Sequence, residues 1–168
     1  ELKDKNLVAS VKEKLITADD KYYPVGYVVK QEPDVGSSQI PEGSTVKIYV
    51  SNGVSLDISI ELPDKFPSGA FYFSLWEDDT MTVESKKTSV SSGTREFVFE
   101  NVVSKEESVT YIVKISSDQN DYYRVSEIKV NFMTGRIEKI HTYYDFKDIP
   151  NDSSDSSSDD SSSDSSDD

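Results

Sequence analysis

The 168-residue sequence contains no cysteine, one histidine, one tryptophan and two methionines. Without Cys there is no disulfide framework, no thiolate metal site and no thiol nucleophile. A histidine-based triad could draw only on His141. Basic side chains are also scarce, 18 Lys+Arg against 32 Asp+Glu, which gives a formal charge of −14. A chain so acidic overall does not bind nucleic acid by neutralising phosphates. No apolar run reaches the ~18 residues that would mark a bilayer span. No signal-peptide pattern opens the chain. If the protein works outside a cell, its export signal is expected on a longer parent chain. Phosphate-cradling loops, dinucleotide fingerprints and kinase signatures are all missing. The residues therefore point away from an enzyme, a cofactor-binding protein, a metalloprotein or a membrane-contacting segment.

The negative charge is unevenly spread. From Asn151 the chain reads NDSSDSSSDDSSSDSSDD, with seven Asp, ten Ser and no apolar side chain. Nothing there offsets an ordering entropy of ~1–2 kcal/mol per residue, so residues 150–168 are expected to form a disordered acidic tail. The first 150 residues then carry −7 of the charge. The tail has no twelve-residue calcium-loop spacing, so it reads as a solvated terminus rather than a metal site.

Two folded blocks are expected before the tail. Ser51-Asn52-Gly53 reads as a turn, which places a boundary near Val54 and divides the chain into 1–54 and 55–149. In the first block, Val46, Ile48 and Val50 alternate with Lys47 and Tyr49, a strand with one buried face. A second strand runs from Gly26 to Gln31, and Pro33 stops it. The opening stretch is ambiguous. Leu7, Val8, Val11 and Leu15 fit a helical stripe, while Leu7, Ala9, Val11 and Leu15 fit a strand face. Its β-branched content favours a strand over Leu7–Ile16.

The second block alternates throughout. Candidate strands cover 55–62, 69–76, 81–85, 94–102, 109–116, 124–132 and 136–144. Leu56, Ile58, Ile60 and Leu62 share one face of the first. Phe71, Phe73 and Leu75 share one face of the second. Seven short strands separated by Pro, Gly, Asn and Asp turns imply an immunoglobulin-type antiparallel β-sandwich, and Met133–Arg136 is expected to close a tight hairpin. Trp76 is a candidate core anchor. The carboxylates Glu77-Asp78-Asp79, Asp19-Asp20 and Asp118/Asp121 fall in turns, where Asp bonds to the local backbone. His141 is expected on an exposed or edge strand. Of the tyrosine pairs 22/23, 122/123 and 143/144, one ring of each is expected inward and one outward.

The ordered set Gly26, Val28, Gln31, Pro33, Gly36, Ile40, Gly43-Ser44, Val46 and Val50-Ser51-Asn52-Gly53 resembles a PASTA domain. Against that pattern, the spacing from Gly36 to Gly43 is one residue longer than the commonest version and the segment before Gly26 is extended. The resemblance implies a partial α+β unit, its helix cut short so that only a last turn remains in ELKDK. It also supports the strand over 7–16. Gly36 and Gly43 then serve positions with φ > 0, and the Gln31 amide satisfies a loop backbone group. Some bacterial PASTA proteins end in an immunoglobulin-like domain, and residues 55–149 are similar to it. The resemblance further implies a parent that is a membrane-anchored bacterial Ser/Thr protein kinase, with its ATP-binding catalytic domain elsewhere. The segment would then sit outside the cell, in or near the wall, and bind peptidoglycan fragments or a lipid-linked wall precursor. A homodimer would form through the parent chain. Lys30 and Glu32, flanking Gln31, are the candidate ligand contacts for a stem peptide's carboxylate and amine. A structural spacer or adhesion module, and the PASTA region of a penicillin-binding protein, are the alternatives.

Overall fold

The structure, a computed structural model, describes residues 6–17, 23–34, 36 and 40–143. The ELKDK stretch, Asp19-Asp20, Tyr22, Tyr144 and the Ser/Asp tail lie outside the described residues. The fold is mainly β, with ten strands and no helix among the described residues. They are β1 (Val8–Thr17), β2 (Val28–Glu32), β3 (Thr45–Glu61), β4 (Gly69–Glu77), β5 (Thr80–Glu84), β6 (Thr88–Val90), β7 (Glu96–Ser104), β8 (Ser108–Ser116), β9 (Tyr123–Asn131) and β10 (Arg136–Thr142). One sheet has the order β1-β3-β2, with β7 also on β3; the other has the order β10-β9-β8-β4-β5, with β6 on β4.

The expected turn at Ser51-Asn52-Gly53 is not a turn. These residues lie inside β3, a single 17-residue strand that spans roughly 55 Å at ~3.3 Å per residue. What the glycine marks is a bulge. Lys14 and Ile16 are two apart on β1, yet their partners Ser51 and Val54 are three apart on β3. One extra β3 residue is therefore accommodated at Asn52-Gly53, where Gly53 has φ 133°. Glycine adopts that conformation without cost. A Cβ there would also lie 2.8 Å from the Ser104 carbonyl oxygen of β7.

The bulge changes which face carries apolar side chains. Before it, Val46, Ile48 and Val50 share a face with Ala9, Val11 and Glu13 of β1. After it, Val54, Leu56, Ile58 and Ile60 share the opposite face with Ile16. Without the extra residue, even-numbered side chains would stay on one side all along the strand. Val46 is buried but stands outside the main core cluster, whereas Val54, Leu56, Ile58 and Ile60 all belong to it.

That cluster is the interior of a sandwich. The second half of β3 and β7 contribute Leu56, Ile58, Ile60, Phe99 and Val102; β4, β8 and β9 contribute Phe71, Phe73, Leu75, Tyr111, Val113, Ile115, Val125, Ile128 and Val130. Period-two alternation explains most of each set, as in two facing sheets; the three-residue steps from Phe99 to Val102 and from Val125 to Ile128 accompany irregularities in the ladders. Phe73 stacks on Phe97 with ring centroids 3.9 Å apart, and Phe66 meets Phe71 edge-on at 5.8 Å. Of the described residues of the first block, Ile16 of β1 and Val54 of β3 enter the cluster, with Tyr23 and Val29 packed against it.

Most expected strands are present within a few residues. The strand over 55–62 is the continuation of β3. Strand β6 has no expected counterpart, because three residues are too few to show alternation. The β9–β10 hairpin closes as expected, with Gly135 N–H donating to the Asn131 carbonyl at 2.9 Å. Trp76 does not anchor the core. It lies on the outer face of β4, half-buried, because Phe71, Phe73 and Leu75 hold the inner positions. Its Nε1 donates to Ser74 Oγ at 2.8 Å, and the Lys114 ammonium sits 3.7 Å from its ring centroid.

Replacing Gly53 by Ala is expected to cost about 2 kcal/mol or more through the forbidden φ, a melting-point drop of about 4–8 °C at this chain length. Gly93→Ala is the control: no atom lies within 4 Å of a Cβ built there, and its melting point should change by less than about 2 °C. Thermal unfolding by circular dichroism measures both.

Candidate functional site

Lys30 and Glu32 are two apart on β2 and so project from one face. Their cross-strand partners on β3 are Tyr49 and Lys47. Lys30, Tyr49 and Lys47 converge on the Glu32 carboxylate. Lys30 Nζ lies 2.6 Å from Oε1, the Tyr49 hydroxyl donates to Oε2 at 3.1 Å, and Lys47 Nζ is 3.8 Å from Oε2. Lys30 also lies 5.6 Å from the Tyr49 ring centroid. The hydrogen bond from Lys30, followed by that from Tyr49, holds the Glu32 carboxyl below its ordinary range; the same bond from Lys30 raises the Lys30 ammonium. The side chains of Lys30, Lys47 and Glu32 are 51%, 49% and 37% exposed. At that exposure solvent screens the ion pair and leaves it weak. A ligand's own charges can therefore replace it.

The other motif residues are structural. Gln31 points to the opposite face, and its Nε2 donates to the Pro33 carbonyl at 3.1 Å, the loop-backbone role expected of it. Gly36 and Gly43 have φ of 89° and 80°. Ser51, buried, donates its hydroxyl to the Tyr23 carbonyl at 3.0 Å.

His141 is exposed on β10, at the edge of its sheet, and meets the Tyr143 ring edge-on at 4.6 Å. Glu77-Asp78-Asp79 form the exposed turn between β4 and β5. Asp118 organises the β8–β9 loop. Its carboxylate accepts the backbone N–H groups of Asn120 at 2.9 Å and Asp121 at 3.3 Å, and the Ser116 hydroxyl at 3.1 Å. Tyr122 anchors the end of that loop, donating to Glu84 at 2.6 Å and meeting Trp76 edge-on, while Tyr123 packs against the core. Burial, followed by the Glu84 contact, pushes the Tyr122 hydroxyl up to about 12. Among the described residues, no group of three or more His, Asp or Glu is placed to hold a metal ion. No helix among them is long and apolar enough to cross a membrane.

Sequence reasoning missed Lys47 and Tyr49 as neighbours of Lys30 and Glu32. The spacing within β3 puts 47 and 49 on one face, but only the β2–β3 register brings that face beside Lys30.

Residues 1–52 match the family model of the PASTA domain. The matched stretch is the first block, under a third of the chain. The X-ray structure of the entire extracellular region of the Ser/Thr kinase PrkC from Staphylococcus aureus aligns with 78% of this chain at 19% identity and a TM-score of 0.28. The chain spans 45% of the length of that region's chain. No curated protein matches it.

The Asp118 carboxyl should titrate at about 2, held down first by the Asn120 N–H. Its unfolded value is about 4. The folded value is the lower one, so the loop's stabilisation is present above pH ~4 and is lost as pH falls toward 2. Carboxyl-carbon NMR titration reads this directly, and Asp118→Asn should remove the pH dependence of the Asn120 and Asp121 amide shifts.

Proposed function

We propose that this chain is part of the extracellular sensor region of a bacterial membrane-anchored Ser/Thr protein kinase, where it binds peptidoglycan fragments or a lipid-linked wall precursor. The PASTA match over residues 1–52 carries this reading. It is supported by the exposed Lys30–Glu32 pair, whose two charges suit the carboxylate and amine of a stem peptide. Residues 1–54 act as the recognition unit. Residues 55–149 form an immunoglobulin-like sandwich that carries it, and residues 150–168 keep the end hydrated. The segment itself is non-catalytic, takes no cofactor and makes no membrane contact. Wall-bound ligand gathers parent chains, and gathering or dimerising them raises the local concentration of kinase domains inside.

A structural spacer role is the second reading. The continuity of β3 through both blocks favours it, because one strand running through both resists bending between them. A PASTA region of a penicillin-binding protein fits the same geometry.

Titration of the 15N-labelled chain with soluble muropeptides separates these readings. Binding should move the amides of residues 28–32 and 46–50. The Lys30→Ala/Glu32→Ala double variant should bind about tenfold more weakly, the equivalent of one charge-assisted hydrogen bond. Unmoved amides at saturating muropeptide would leave the spacer role.

A further inference from the structure

The sandwich has an open side. Along residues 56–61, β3 has β7 on one side; on the other, β1 ends at Thr17, opposite Ser55, and no described strand follows. In the facing sheet, β10 pairs with β9 alone among the described strands. These two strand edges flank a cleft between the sheets. Ile60 of β3, Ile128 of β9 and Ile137 of β10 give it apolar walls, Ser126 also lines it, and its volume is about 310 Å³.

Ser126 pairs in register with Val113, a core residue, so its side chain points inward. It is 1% exposed, and its Oγ has no hydrogen-bond partner among the described residues. Buried hydroxyls are normally satisfied, because desolvating one without a partner is costly. The other buried serines follow that rule: Ser51, Ser74, Ser104 and Ser116 each bond to a described group. The exception is the serine that lines the cleft.

The mouth is acidic. Glu61 and Glu96 stand directly opposite each other on β3 and β7, and like charges so placed repel unless compensated. Lys139 compensates one of them. It pairs in register with Ile128, faces inward from β10, and its Nζ lies 2.8 Å from Glu61 Oε2. Glu96 accepts only a neutral group, the Ser59 hydroxyl. Its neighbour Arg95 is engaged by Asp64 at 2.9 Å, and among the described residues no cation pairs with Glu96. One negative charge at the mouth is thus left over.

We propose that this cleft binds a small amphiphilic amine, its ammonium at Glu96, its apolar body against Ile60, Ile128 and Ile137, and a terminal hydroxyl at Ser126. An added peptide strand is disfavoured, because an inward-pointing charge on an edge strand, here Lys139, obstructs strand addition. The site is separate from Lys30 and Glu32 and goes beyond the function proposed above, since every residue in it belongs to the sandwich.

The test titrates the 15N-labelled full chain with 6-amino-1-hexanol, hexylamine, 1-hexanol and hexanoate. The amino alcohol should bind most tightly and move the amides of Ile60, Ser126, Ile128 and Ile137; hexanoate should not bind. Glu96→Gln should weaken binding of the amino alcohol about tenfold, the loss of one charge-assisted hydrogen bond, and leave 1-hexanol unchanged. Ser126→Ala should reduce the amino alcohol to the affinity of hexylamine without lowering the melting point, because it removes a hydroxyl that the fold leaves unpaired. Lys139→Ala, which frees Glu61, should tighten both amines. Absence of shifts with either amine overturns the proposal. So does binding indifferent to Glu96→Gln and Ser126→Ala, or hexanoate binding as tightly as hexylamine. A clear drop in the melting point of Ser126→Ala would also overturn it, by showing that the fold already satisfies the hydroxyl.

Discussion

The arrangement depends on one extra residue in one strand. β3 pairs with β1 and β2 along its first half and with β7 along its second. The bulge at Asn52-Gly53 moves its apolar side chains from one face to the other in passing. Gly53 permits this because its φ of 133° is open to glycine, and because the Ser104 carbonyl approaches to a distance that leaves no room for a Cβ. Ahead of the bulge the polar face of β3 carries Lys47 and Tyr49. Beyond it the same side of the ribbon carries Val54, Leu56, Ile58 and Ile60, which the six-stranded sheet covers. The Lys47–Tyr49 surface and the sandwich core are thus successive stretches of one side of one strand.

This placement also explains why the charged network stays accessible. The sandwich holds most of the buried apolar residues, whereas the first block buries few beyond Ile16, Val46 and Val54. Its sheet is stabilised by its ladders and by the shared strand more than by a large core of its own. Side chains on its polar face are free of packing demands, and exposed ion pairs there are weak enough for a ligand to exchange. The Lys30–Glu32 pair illustrates the point: its bond is short, its pKa shifts are mutual, and water still reaches both groups.

Much of the fold was legible because alternation is a local signal. Leu56 to Ile60, Phe71 to Leu75 and Val109 to Ile115 announce their strands without knowledge of their partners. What was lost required non-local information or a second meaning for a familiar residue. Ser51-Asn52-Gly53 has the composition of a turn, yet glycine within a strand also marks a bulge, and only the β1–β3 register distinguishes the two. Trp76 has the size of a core anchor, yet its alternation with Phe73 and Leu75 places it on the outer face. At the site, Gly36, Gly43 and Gln31 do what their pattern implied. Lys30 and Glu32 are exposed neighbours, but Lys47 and Tyr49 join them only through strand pairing, which no spacing along the chain records.

The most direct check of this architecture is the β1–β3 register in solution, read from inter-strand nuclear Overhauser effects in the labelled chain. The account requires Lys14 beside Ser51 and Ile16 beside Val54, one residue of β3 being skipped between them. An unbroken ladder, with Ile16 beside Gly53, would contradict it, for then Val46 and Val54 would face the same way and the Lys47–Tyr49 surface could not lie on the side that the sandwich covers.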